Sequence, residues 1–246
     1  MNAAVRATEL APSDAANWRN RGQTYRNFVA LVANAGDFAV QAYERAIELK
    51  PTDPFVQNEL GLAYVAMAEA VRPIAGAEDK SAASQAQARL ADLLQKATAA
   101  FNKALALKAD YAGAAFQLAL MDARSGQVDG AIAKMEALGR ANPTDVGVAF
   151  QLGLLSLQRA KSGDLARAQQ AFEHAVALSP SFADARWFLA SAYEQQGKMD
   201  LATEQVRKVL ELDPKNPLVA ARLKRLEAGE KETSASLPSL SDEFHH

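Results

Sequence analysis

Side chains able to do covalent or metal chemistry are few in these 246 residues and stand apart from one another. There is no cysteine, which removes thiolate nucleophiles, thiolate metal sites and disulfides together. Two of the three histidines, His245 and His246, end the chain and read as the remnant of a purification tag. The third, His174, lies in the phrase FEHAVAL with no ligand-spaced histidine or carboxylate beside it, and reads as structural. The acids alternate with bases at helical spacing, as in Glu44-Arg45 and from Glu204 to Lys208, which is the pattern of a solvated helix face. No glycine-rich phosphate loop, G-x-S-x-G elbow or H-E-x-x-H zinc helix occurs. The expectation is a protein that is not an enzyme, with no metal and no cofactor.

What remains is recognition by apolar, aromatic and amide side chains, and the composition says which elements carry them. The chain is 49% hydrophobic, so wholesale disorder is excluded. A formal net charge of -2 supplies no positive field for a nucleic-acid backbone. No apolar run approaches the roughly 18 residues that a membrane span needs. The opening MNAAVRATELAPSD has no basic start followed by an apolar core, so no signal peptide is expected. Alanine makes up about one residue in five, and it is the best helix former because its methyl loses no rotamer freedom. With only 7% aromatic residues, the composition points to closely packed helices.

The helices repeat. Pro180 to Pro214 spans 34 residues, and so does Ala109 to Pro143, while Pro143 to Pro180 spans 37. Pro12 to Pro51 spans 39 and Pro51 to Ala109 spans 58, so a 34-residue unit carries insertions of 5, 24, 0, 3 and 0 residues. Before each stop stands one phrase. It reads Ala39-x3-Tyr43-x2-Ala46, Ala97-x3-Phe101-x2-Ala104, Ala131-x3-Met135-x2-Leu138, Ala168-x3-Phe172-x2-Ala175 and Ala202-x3-Val206-x2-Val209. Spacings of four and three put these residues on one helix face, a small residue beside a large one. Each unit opens with a second phrase: Trp18-x3-Gly22-x2-Tyr25, Leu60-Gly61-x2-Tyr64, Leu118-Ala119, Leu152-Gly153 and Leu189-Ala190-x2-Tyr193. Gly or Ala at its second place lets the two helices of one unit approach closely. Turn residues separate them at Ser125-Gly126, Ser162-Gly163-Asp164 and Gln196-Gly197-Lys198.

These phrases resemble the tetratricopeptide repeat, W-x2-L-G-x2-Y, then A-x3-F, then P, over 34 residues. The resemblance covers residues 15–228, with Arg21 at the usual Leu place and Ala109 at a closing proline place. It implies an all-α fold, a right-handed α-solenoid of about five helix pairs with one long inserted helix and a C-terminal capping helix. The repeats fall near 15–51, 54–109, 112–143, 146–180 and 183–214, and the capping helix at 217–228. Residues 1–14 read as the end of a preceding repeat helix, and 229–246 as a polar tail. The insertion breaks the second unit's first helix at RPIAGAED, after which about 27 residues read as one helix. That helix is expected to project beyond its neighbours, as a solvated overhang or as a docking or dimer surface.

The resemblance also implies a concave groove lined by the first helix of each unit, at its second, fifth, sixth, ninth, twelfth and thirteenth places. Carried onto this sequence, the groove residues are Arg19, Asn20 and Gln23, then Asn58 and Leu62, then Phe116, Gln117 and Leu120. Phe150, Gln151 and Leu154 follow, and Trp187, Phe188 and Glu194 close the series. The implied function is a protein-interaction scaffold that binds a peptide or helix of a partner in this groove. The subclass that clamps chaperone tails needs Asn and basic residues where this chain has Glu59, Gly113 and Gln117, so that ligand is not expected. Two other readings stay open. One is a regulatory or positioning domain of a larger bacterial membrane or glycan-handling enzyme. The other is a structural array that self-associates through the long helix or the tail, where Leu237, Pro238 and Leu240 would enter a neighbour's groove. Partners from nucleic acid or by membrane insertion are not expected, and the sequence leaves the compartment open as cytoplasmic or periplasmic.

Overall fold

The structure is a computed structural model that describes residues 2–76 and 79–229. The expectations for Leu237, Pro238, Leu240 and the final histidines lie outside the described residues. Among the described residues there are twelve helices and no strand. The chain forms two compact units, one ending at Gln127 and the other beginning at Val128. That boundary lies in the turn within the third repeat, so the two helices of that repeat belong to different units.

The first unit holds α1 (Asn2–Leu10), α2 (Ala15–Arg26), α3 (Ala35–Leu49), α4 (Pro54–Ala75), α5 (Lys80–Leu107) and α6 (Ala112–Arg124). The second holds α7 (Val128–Ala141), α8 (Val146–Arg159), α9 (Asp164–Leu178), α10 (Ala183–Gln195), α11 (Met199–Leu212) and α12 (Pro217–Glu227). Helix starts follow local chemistry. Asp14, Asp53, Asp79, Asp145 and Asn216 each accept a hydrogen bond from a backbone N–H of the first turn. Pro54 and Pro217 occupy the first helical position, where no N–H is needed. The ends follow the prolines: Ser179 before Pro180 and Asp213 before Pro214 leave the helical region at ψ 89° and 82°. Lys108 does the same at ψ 99° although Ala109 follows it.

Consecutive helices pair through a knob and a hole. Tyr43, Phe101 and Phe172 are fully buried. A Cβ on Gly22 would stand 2.8 Å from the Tyr43 ring, and one on Gly61 2.5 Å from the Phe101 ring. One on Gly153 would stand 2.7 Å from Phe172 Cδ1. These rings lie against bare backbone. Where the large residue is Val206, the matching place is Ala190, and the smaller knob leaves room for a methyl. Hole and knob sizes therefore vary together from repeat to repeat.

The insertion corrects one expectation. The long helix α5 does not overhang alone, because α4 is itself 22 residues long and runs beside it. Met67 and Ala68 of α4 and Leu93 of α5 form a buried cluster, with Val71, Leu90 and Leu94 packed against it. Ala83 and Ala86 are buried nearer the tip. The segment between α2 and α3, which carries the five-residue insertion, packs Val29 on the same cluster. The two insertions thus stabilise each other.

Candidate functional site

In the first unit α4 touches α2, and a buried cluster links α4 to α5 and α6. Leu62 and Val65 of α4 pack against the cluster formed by Ala97, Phe101, Ala114 and Leu118, which joins α4, α5 and α6. From α2, the Arg19 guanidinium lies 5.4 Å from the Phe55 ring centroid, a favourable cation–π position. The Phe55 side chain remains 42% exposed. Asn20 and Gln23 are exposed, and Leu62, Phe116, Gln117 and Leu120 are half-buried. Asn58 is buried, and its Oδ1 has no hydrogen-bond partner.

The charges on this surface are unequal. Arg26 donates to Glu59 at 2.8 Å, and the Tyr43 hydroxyl donates to the same carboxylate at 3.2 Å. Burial, with the Glu59 charge adding to it against the opposing Arg26, pushes the Tyr43 hydroxyl well above its ordinary range, so it stays a neutral donor. Arg26 is neutralised by this arrangement. Arg19 donates only to the neutral Asn20 side chain, at 3.4 Å, and remains the uncompensated cation beside Phe55.

The second unit places the expected residues differently. Phe150 and Phe188 are buried, and together with Phe172 and Phe182 they form an aromatic cluster with centroids 4.8–5.8 Å apart. Their recurrence at inward-pointing places serves the core here rather than an open surface. Gln151, Leu154 and Trp187 are half-buried. Trp187 is covered by α12: the Arg222 guanidinium lies 4.2 Å from its ring centroid. Arg222 also donates to Glu194 at 2.6 and 2.8 Å and to Ser191 Oγ at 2.9 Å, and Arg225 reaches Glu194 at 2.8 Å. The aromatic and acidic end of the expected groove is thus occupied by this chain's own last helix.

Phe55 and Arg222 are absent from the residues expected to bind. For Phe55 a signal existed, since it stands at the second place of its helix, one of the inward-pointing places. Arg222 gave none, because its partners lie 28 to 35 residues away. His174, which the sequence reading takes as structural, has its Nε2 2.7 Å from the Pro143 carbonyl oxygen. No group of three or more acidic or histidine side chains among the described residues could hold a metal ion. No described helix is long and apolar enough to cross a membrane.

Residues 154–217, from within α8 to the start of α12, match the family pattern of the tetratricopeptide repeat. Within that stretch the chain is built of tetratricopeptide repeats. Comparison with curated protein sequences gives no match. Solved tetratricopeptide-repeat structures share the fold. PilW, a type IV pilus biogenesis factor, is 18% identical with a TM-score of 0.65, over 89% of this chain and 87% of that one. MamA from Desulfovibrio magneticus is 20% identical with a TM-score of 0.55, over 80% of this chain and 97% of that one. YrrB, described as a tetratricopeptide-repeat protein with an unusual peptide-binding site, is 19% identical with a TM-score of 0.52. That match covers 90% of this chain and 98% of YrrB. At these identities the likeness concerns the arrangement of helices.

Proposed function

We propose that this protein is a protein-interaction scaffold whose first unit binds an extended or helical peptide across the inner faces of α2, α4 and α6. One observation carries the reading: Phe55 is a large exposed aromatic side chain beside an unpaired cation, Arg19, on a face otherwise lined by amides and half-buried aliphatics. A rigid aromatic anchor flanked by polar groups is the usual composition of a binding hot spot. Gln23, exposed on α2, and Gln117, half-buried on α6, offer amide contacts to a peptide backbone. The ligand this chemistry fits has an apolar centre and an acidic residue near one end. The peptide-binding description of YrrB supports the same class of function for a related arrangement of helices.

The test is selection of the full chain against an arrayed library of short random peptides, followed by affinity measurements at two salt concentrations. Selected peptides are expected to combine Leu, Ile or Val with Asp or Glu. Arg19→Ala should weaken them and flatten the salt dependence, because the half-buried Arg19 charge still reaches solvent and is partly screened by salt. Selection of basic or purely polar peptides, or a salt dependence unchanged in Arg19→Ala, would contradict the proposal.

A further inference from the structure

The two insertions create a surface that repeat packing does not require. The α2–α3 segment reads Phe28-Val29-Ala30-Leu31-Val32-Ala33, an apolar run outside any helix. Leu31 is 78% exposed, Phe28 36%, Phe38 43%, and Ile74 on the extended part of α4 51%. Between this segment and the α4–α5 hairpin lies an open hollow of about 400 Å³, floored by Met67, Ala70 and Val71. Leu31 stands at its rim. Asp37 of α3 and Arg89 of α5 also line the hollow, both exposed, and among the described residues no hydrogen bond or ion pair engages either one. The surface therefore offers one apolar knob, one hollow whose apolar floor sits within a largely polar lining, and one anion and one cation that have no partner among the described residues.

That set is self-complementary. In a two-fold contact every residue pair occurs twice, so a surface that carries both a knob and a hole, and both signs of charge, matches a second copy of itself. A peptide partner would need only the hole, and an anionic membrane surface would find no net attraction where Asp37 offsets Arg89. Contiguous exposed apolar side chains on a soluble surface usually mark a contact site. We infer that this hollow is the homodimer interface of the protein, with Leu31 of each copy seated over Met67, Ala70 and Val71 of the other and Asp37 facing the partner copy's Arg89.

The experiment is sedimentation analysis of the full chain over roughly 10–100 µM, the range in which an interface of micromolar affinity would fill. The wild-type chain is expected to dimerise. Leu31→Asp should be monomeric with helix content and melting temperature unchanged, since Leu31 is mostly exposed in the single copy. Arg89→Glu should weaken the dimer about tenfold or more, and adding Asp37→Lys should restore it, because the reversed pair is again complementary. A wild-type monomer throughout that range would overturn the inference. So would a dimer that survives Leu31→Asp, or a double reversal that restores nothing. Peptide binding by the inner face of α2 and α4 should be unaffected by Leu31→Asp, so failure of one proposal is distinguishable from failure of the other.

Discussion

Gly153 and Phe172 lie so close that no side-chain atom fits between them. A Cβ placed on Gly153 would stand 2.7 Å from Phe172 Cδ1 and nearer still to Cε1. The ring is fully buried and touches Phe150 and Phe188 on its other sides, so it cannot retreat. A missing side chain on α8 therefore fixes how near α9 can come.

Gly153→Leu should accordingly destabilise the second unit by about 1–3 kcal/mol or more, the usual cost of overpacking a filled core. The loss should appear in denaturant unfolding as a lower midpoint. Gly153→Ala should lose less than Gly153→Leu, because one methyl forces fewer atoms against the Phe172 ring. An unchanged midpoint in Gly153→Leu would refute the packing role.

Ala160 adopts a left-handed backbone, φ 52°, at the end of α8. That conformation costs a residue with a Cβ roughly 1–2 kcal/mol, and glycine adopts it without that cost. Ala160→Gly should raise stability by about 1 kcal/mol despite the greater entropy of the unfolded glycine. A lower melting temperature in this variant would show that the Ala160 methyl makes contacts that outweigh the strain.

Asp164 begins α9 almost completely buried, accepting from Arg159 Nε at 2.8 Å and from the Lys161 backbone N–H at 2.9 Å. These bonds, the Arg159 bond foremost, hold its carboxyl at about 2. A depressed folded-state pKa adds stability above the unfolded value, near 3.9, and that stability is lost as pH falls toward the folded value. Asp129, also lowered by Lys161 and Arg159, acts in the same direction. Acid titration of wild type should therefore show stability falling between about pH 4 and pH 2, and Asp164→Asn should flatten that portion of the curve. An identical acid profile in Asp164→Asn would remove this linkage.

Arg222 shields Trp187 and neutralises Glu194, with both side chains of that ion pair under 10% exposed. Arg225 also pairs with Glu194 at 2.8 Å, so losing Arg222 does not strand that carboxylate, and the cost should fall below the about 3–5 kcal/mol of leaving a buried charge unpaired. In a Trp18→Phe background, which leaves Trp187 as the single tryptophan, Arg222→Ala should red-shift the emission and increase quenching by acrylamide. Unchanged emission and stability would mean that α12 does not rest on α10.

The sequence reveals the helical repeat because its signals are local. Spacings of three and four, a glycine facing an aromatic residue of the next helix, and prolines at helix ends all act within one helix pair. The surface is less legible, because exposure depends on what a distant segment covers. The AFQL phrases at 115–118 and 149–152 look alike, yet Phe116 stays half-buried while Phe150 joins an aromatic core supplied by Phe182 and Phe188. Trp187 reads as an anchor until Arg222, 35 residues later, folds over it. The paired extension of α4 was hidden because Arg72-Pro73 looks like a break in sequence, whereas α4 continues to Ala75.

The most direct measurement of the central claim is the affinity of a library-selected acidic-apolar peptide for three forms of the full chain: wild type, Phe55→Ala and Trp187→Phe. Phe55 is exposed on the first unit, so its loss should weaken binding at least tenfold, about 1.4 kcal/mol, with helix content unchanged. Trp187 is covered by Arg222, so Trp187→Phe should bind like wild type. Normal binding by Phe55→Ala together with a large loss in Trp187→Phe would place the site on the second unit and contradict the account.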